Sequence, residues 1–395
     1  MGTGNHDTSG RVINVPKRIP ELLCGLFLLV CFSGCSRQES RQIGLEVRID
    51  SVLNAAYESH AFEGVVRISD GKGNTVERAL GLADRDAGTA NSADTRFRMA
   101  SVTKSFTAYL TLLLVESGEL DLDESIVTYL PEWKGNPSIT LHHLLSNTSG
   151  LPHYEGLRDV GMSPDTFRPL AMDGPAFVDL VGRMQSACDP GACFHYSSFG
   201  YDMVGAVIEA VTNNAYGNVL RERLLGPLGL ENTGYATASD SVPGLAYGYE
   251  PTSDDSAHVF MPAIFRDPAN AFSAGGLFTT VADLARWSSA LQGIGPLSAD
   301  LLLRMKTDQV GLPDENVRYG YGLSIHDGQA GNEFGDIGLD ESYVIHGGAF
   351  DGFRSLFVSA ENGATIIILS NVGAATDELG LGRALASVLN ANPQG

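Results

Sequence analysis

Segments that read as β-strands gather at the two ends of this 395-residue chain, and the long stretch between them is patterned for helix. Near the start, Phe62 to Ser69 and Thr75 to Leu82 flank the turn sequence Asp70-Gly71-Lys72-Gly73-Asn74, which predicts a hairpin. Strand signals return only at Tyr319 to Ile325, Tyr343 to Phe350, Phe353 to Ala360 and Thr365 to Asn371, the last two joined by Glu361-Asn362-Gly363. A sheet must therefore draw on both chain ends. Apolar residues recur at helical period from Ile43 to Ala61, from Phe106 to Val115 before Gly118, and from Asp377 to Asn392. The order helix, hairpin, helical block, strands, helix implies an α+β fold: an antiparallel sheet formed from both ends, flanking helices, and one large, mostly helical insertion over about 101–303.

The first 34 residues stand apart from that fold. Arg11, Lys17 and Arg18 precede an apolar run from Leu22 to Phe32, about the length of a signal-peptide core and too short for a permanent membrane span. Phe32-Ser33-Gly34-Cys35 resembles the lipobox of bacterial lipoproteins, which implies removal of residues 1–34 and a lipid on Cys35. Residues 35–42 read as a polar tether, and 43–395 as the folded domain. The expected location is the bacterial cell envelope, facing the periplasm or exterior and held to the membrane by that lipid. A net charge of -21 argues against nucleic acid, whose binding requires Lys and Arg to neutralise phosphates. Cys188 and Cys193 flank Asp189-Pro190-Gly191, so oxidation after export favours a disulfide. Two buried free thiols are the alternative; a zinc pair has only His195 nearby to extend it.

Ser-x-x-Lys occurs twice, at Ser69–Lys72 and at Ser101–Lys104. The first ends a strand and enters a Gly-flanked turn, where side chains three apart have no reason to converge. The second opens a predicted helix, whose i and i+3 positions share a face and whose first turn offers free N–H groups to an oxyanion. An N-cap serine beside a solvated lysine is the other reading of that spacing.

The company of the second pair separates these readings. Phe97-Arg98-Met99-Ala100-Ser101-Val102-Thr103-Lys104-Ser105-Phe106, then Gly118 to Asp123, Ile139 to Pro152 and Ala274 to Thr280, resemble in order the motifs of the serine beta-lactamase, DD-peptidase and related esterase superfamily. The likeness extends over roughly residues 45–390. It implies Ser101 as nucleophile, Lys104 as its partner, and Tyr196 in Tyr196-Ser197-Ser198 as the second catalytic motif. Tyr57 and Tyr216 compete for that place, but only Tyr196 follows a Pro-Gly turn and precedes a helical run, Tyr201 to Val211. Ser198 replaces the usual Asn, giving one hydroxyl where an amide offers both donor and acceptor. His346-Gly347-Gly348 stands where beta-lactamases carry Lys-Thr-Gly, with Gly348 letting the strand approach an acyl group and the N–H of Ala349 joining that of Ser101 as the oxyanion hole. A buried, inert His346 is the alternative. His142, His143, His153 and His326, and likewise Asp351 and Arg354, receive no task from the sequence.

The implied activity is hydrolysis through an acyl-enzyme of an ester, amide or D-amino-acid peptide, with esterase or peptidase-like action expected over efficient beta-lactamase action. A beta-lactamase, a DD-carboxypeptidase, and a non-catalytic envelope binding protein retaining the fold are the alternatives. Either Lys104 or Tyr196 fits as general base. No metal or organic cofactor is implied, and the expected partners are a small-molecule or peptide substrate and the membrane.

Overall fold

The run Ala364–Ser370 is buried along its whole length, which a strand achieves only when both faces of its sheet are covered. The computed structural model describes residue 1 and residues 42–167, 174–237, 239–252, 259–264, 266–312, 316–328, 332 and 335–391. The apolar leader, Cys35 and nearly all of the tether lie outside them. The chain divides after Gly44, and Leu45–Gly395 forms one compact unit. In that unit the principal elements are helix α1 (through residue 58), strands β1 (Gly64–Asp70) and β2 (Thr75–Leu80), helices α2 (Thr103–Glu116) and α3 (Ser198–Thr212), strands β3 (Ser324–His326), β4 (Tyr343–Phe350), β5 (Phe353–Ala360) and β6 (Ala364–Ser370), and helix α4 (Glu378–Asn390).

The strands form one antiparallel sheet in the order β3-β4-β5-β6-β1-β2. Its two ends of chain meet where β1 pairs with β6, with Gly64 opposite Ser370 and Asp70 opposite Ala364. Successive side chains point to opposite faces. Val66, Ile68, Leu356, Val358, Ile366 and Ile368 therefore pack against Leu45, Ile49 and Leu53 of α1 and Leu381 and Leu385 of α4. Val65, Phe357, Ile367 and Leu369 face the helical block, meeting a core that includes Phe106, Leu110, Trp287 and Leu291. The α+β arrangement expected from the strand positions is the observed one.

Helix α2 is buried on nearly every side: Thr103 to Leu112 and Leu114 are all inside. A helix without a solvent face must give each polar side chain an internal partner. Thr107 Oγ1 donates to the Ser273 carbonyl at 2.6 Å, Ser105 Oγ donates to the Val102 carbonyl and accepts from Trp287 Nε1, and Thr111 Oγ1 donates back to the Thr107 carbonyl. Gly118, with φ of +77°, closes the helix in the left-handed conformation.

Two features differ from the sequence reading. The block between the strands also holds short strands, Phe97–Arg98 with Leu277–Thr279 and Gly234–Tyr235, and Tyr249–Pro251 with Phe260–Pro262. Segments of two or three residues are too short to display an alternating pattern. The expected strand Tyr319 to Ile325 contracts to Ser324–His326, because residues 319–323 fold into a turn in which Gly320 N–H bonds the Leu323 carbonyl. That turn presses on α2. Gly322 has φ of +73°, and a Cβ there would lie 2.6 Å from the Lys104 carbonyl oxygen.

Gly322→Ala should therefore cost more than the about 1–3 kcal/mol of a strained backbone conformation, because it also pushes against the α2 backbone. Gly328 has φ of +76° with nothing within 4 Å, so Gly328→Ala isolates the conformational part. Thermal unfolding of both variants should show a markedly larger fall in Tm for Gly322→Ala; equal falls would remove the contact from the explanation.

Candidate active site

Met99-Ala100-Ser101-Val102 leaves the short strand Phe97–Arg98 and turns at once into a helical turn that continues as α2. The change of direction is sharp enough to hold Ala100 at φ of +46°, a conformation unfavourable for a residue with a Cβ. It is fixed from both sides. Ser355 Oγ on β5 donates to the Met99 carbonyl at 2.7 Å, and Val102 N–H closes on the same carbonyl at 3.2 Å. Strand β4 lies so close that a Cβ on Gly348 would stand 2.4 Å from the Met99 carbonyl oxygen, so only glycine fits there. Ser101 and Ala349 consequently line one cavity of about 520 Å³, together with Tyr196, Ser198, His346 and Gly348.

Lys104 lies one turn beyond Ser101 and is fully buried. Its Nζ stands 3.1 Å from Ser101 Oγ, 3.2 Å from Ser198 Oγ and 3.0 Å from the Ala274 carbonyl oxygen. It also sits 4.9 Å from the centre of the Tyr196 ring. Burial lowers the Lys104 ammonium to about 7, and the negative charge of Asp202 opposes that fall. Asp202 is itself 2% exposed; burial raises its carboxyl, with Lys104 and a hydrogen bond from Ala274 N–H at 2.9 Å pulling the other way. Residue Ala274 is thus gripped at its carbonyl by the lysine and at its N–H by the aspartate.

The second motif enters on the loop before α3. Asn147, at φ of +57°, accepts from His195 N–H through its carbonyl and from Ser197 N–H through Oδ1, which places Tyr196 between them at the cavity wall. The Cys188–Cys193 disulfide closes the preceding loop, and Gly191 N–H bonds the Thr148 carbonyl on the same Ser146–Pro152 segment. Tyr196 hydrogen-bonds the Ser101 side chain, while burial raises its phenol. His346 is buried, donates from Nδ1 to the Gly347 carbonyl at 2.5 Å and accepts at Nε2 from the Tyr319 hydroxyl at 3.1 Å. Burial first, and the nearby lysine second, lower it to about 3, so it is neutral at ordinary pH.

The geometry gathers Ser101, Lys104, Tyr196, Ser198, His346, Gly348 and Ala349 in one place, and separates Tyr57 and Tyr216 from it. Ser198 Oγ meets Lys104 Nζ at 3.2 Å and lines the cavity beside Ser101. Sequence reasoning left His153 with the structural histidines, and the structure corrects that. Its Nδ1 accepts from Ser198 N–H at 3.1 Å, its ring stands edge-on to Tyr196, and it lines the cavity; burial and Lys104 lower it to about 4. His142, His143 and His326 keep local partners: the Tyr321 hydroxyl, the Thr140 cap and the Tyr343 ring. Asp351 pairs with Arg266, and Arg354 approaches Glu378. Asp202 was missed although its signal was present: it lies four residues after Ser198 on a helix, hence on the same face.

The Beta-lactamase family model matches residues 49–390. The chain belongs to the beta-lactamase family and is a serine hydrolase. Among its curated relatives, Esterase EstB of Burkholderia gladioli is 29% identical over 361 residues, covering 83% of this chain and 90% of the esterase. Penicillin-binding protein 4 of Amycolatopsis lactamdurans is 28% identical, covering 77% and 79% respectively. The solved structure of D-amino acid amidase from Ochrobactrum anthropi SV3 with D-phenylalanine superposes with a TM-score of 0.70 at 25% identity, covering 87% of this chain and 98% of the amidase.

Within this beta-lactamase-family site, Asp202 favours the charged lysine. Replacing it by Asn removes that attraction, so Lys104 should lose its proton at lower pH. The acid limb of kcat/KM for a neutral ester should then move to lower pH in Asp202→Asn; an unmoved limb, or one moved upward, would show that Asp202 does not act on the lysine.

Proposed function

We propose that Ser101 is the acylated nucleophile and Lys104 its general base, the observation that carries this being a fully buried lysine nitrogen 3.1 Å from the serine oxygen inside the cavity. A neutral amine has two hydrogens and one lone pair. Its hydrogens suit Ser198 Oγ and the Ala274 carbonyl, leaving the lone pair for the Ser101 hydroxyl. Tyr196, whose phenol burial raises, retains its proton near neutral pH and suits the role of relay better than that of base.

In acylation, Ser101 Oγ bonds to the substrate carbonyl carbon as its proton passes to Lys104. The N–H groups of Ser101 and Ala349 hold the oxyanion that forms. Collapse breaks the bond to the leaving oxygen or nitrogen, which takes a proton through Tyr196, and Lys104 returns the proton it gained to the tyrosine. Water then adds to the acyl carbon, giving a proton to Lys104; cleavage of the carbon–Oγ bond restores the Ser101 hydroxyl with that proton and releases the acid. No charge builds up across the cycle.

The named activities of the relatives, esterase, penicillin-binding protein and D-amino acid amidase, support a substrate range of esters, amides and short peptides. Turnover of beta-lactams bearing a free carboxylate should be poor. Neutral His346 and side-chain-free Gly347 stand where Lys and Thr would bind that carboxylate, and a charge-assisted hydrogen bond is worth about 1.5–3 kcal/mol, roughly ten- to a hundredfold. The positively charged n-region, short apolar run and lipobox-like Cys35 support export and lipid attachment to the bacterial envelope.

Protein extracted from membranes and exposed to a fluorophosphonate should show by mass spectrometry a lipid on Cys35 and one phosphonate on Ser101. The phosphonate should vanish in Ser101→Ala, with p-nitrophenyl butyrate hydrolysis down at least about a thousandfold and nitrocefin poorly used by wild type throughout. A phosphonate persisting in Ser101→Ala, an unmodified Cys35, or efficient nitrocefin turnover with poor ester turnover would each overturn the corresponding claim.

A further inference from the structure

Besides the residues gathered around Ser101, the cavity lining includes one guanidinium and one carboxylate, Arg266 and Glu378. They differ in how fully their charges are answered. Arg266 makes two hydrogen bonds to Asp351, Nε to Oδ2 at 3.1 Å and Nη2 to Oδ1 at 3.3 Å, and packs over the rings of Tyr154 and Phe350. Glu378, the first residue of α4, has the Arg354 Nε at 3.7 Å from its Oε2, beyond hydrogen-bond length, while Arg354 Nη1 donates to the Phe353 carbonyl instead.

The place of that carboxylate matters more than its presence. A Cβ added to Gly347 would lie in ordinary contact with Glu378 Oε1, at 3.7 Å, which puts the carboxylate beside the strand along which an acyl group bound at Ser101 would lie. A carboxylate there repels an anionic substituent on the acyl donor and attracts a cationic one. Burial also raises the Glu378 carboxyl despite Arg354, so the ionised form gains from a further cation.

We propose that Glu378 is a specificity-determining residue that binds a free ammonium group on the acyl donor, making esters and amides of amino acids, or peptides with a free amino terminus, the preferred substrates. The inference rests on Ser101 being the acylated residue. It goes beyond it by naming the recognised group: a primary ammonium held in a charge-assisted hydrogen bond at Glu378 Oε1, near the Gly347 main chain. Loss of such a contact is expected to weaken binding roughly ten- to a hundredfold.

Binding is read without turnover in the full Ser101→Ala chain, by ligand-observed NMR titration at pH 7. The probes are alaninamide, N-acetylalaninamide and N-succinylalaninamide, each as both enantiomers. At least one enantiomer of alaninamide should bind tenfold or more tighter than its N-acetyl form, with the succinyl form weakest. Adding Glu378→Gln should bring amine and acetyl forms to within about twofold while leaving acetyl binding in place. Equal affinities in the Ser101→Ala chain, undetectable binding of all three, or an amine preference that survives Glu378→Gln would overturn the proposal. Failure of wild type to hydrolyse p-nitrophenyl butyrate would instead count against the acyl-enzyme reading, so the two failures are distinct.

Discussion

The Lys104 amine, enclosed by α2, α3 and the Ala274 segment, sets the terms for everything around it. An ammonium taken out of water costs several kcal/mol unless it is fully paired, and here the nearest carboxylate, Asp202, reaches the lysine through the Ala274 peptide instead of by direct contact. Burial lowers the ammonium to about 7, so this group gives up its proton far more readily than an exposed lysine. Ser198 Oγ and the Ala274 carbonyl can accept the two hydrogens of the neutral amine while the Ser101 hydroxyl meets its lone pair, and the same three oxygens accept the three hydrogens of the ammonium. Arginine would not substitute, because its guanidinium stays charged and needs more acceptors than this interior supplies.

The rest of the architecture serves to hold the lysine and serine at that separation. The strained turn at Ala100 is held by β5 through Ser355 and crowded by β4 at Gly348, so the sheet made from the chain ends fixes the position of Ser101. On the far side, the Gly322 turn presses on the Lys104 carbonyl, and Phe106 stacks on Trp287 at 4.1 Å. Helix α3 contributes both the hydroxyl that meets the lysine and the aspartate that tunes it. The two neutral histidines, His153 and His346, bound the cavity without adding positive charge to it. That leaves the charge of the cavity lining to Glu378 and the paired Arg266.

Much of this was legible in the sequence, and what was not has identifiable physical causes. Runs rich in β-branched and aromatic residues, bounded by turn sequences, located β1, β2, β4, β5 and β6, since each exceeds five residues. Tyr319 to Leu323 carries strand-like residues but folds as a turn, because its two glycines meet the α2 and Met305 backbones, a tertiary fact with no local signature. Ser101 and Lys104 were readable from helical spacing plus context. His153 and Glu378 come from segments far from the motifs in the chain, and only folding brings them to the cavity. Asp202 shows an intermediate case: its spacing from Ser198 was visible, but its relation to Lys104 depends on how two helices cross.

The protonation state of Lys104 is the most direct test of this account. The chain has five lysines, so protein carrying 13Cε-labelled lysine gives a spectrum simple enough to titrate, with Lys104→Gln assigning the signal that disappears. One resonance, lost in that variant, should titrate near pH 7, several units below an ordinary lysine at about 10.4. A Lys104 signal that remains fully protonated up to pH 9 would contradict the central claim, because the buried amine would then have no lone pair to offer Ser101.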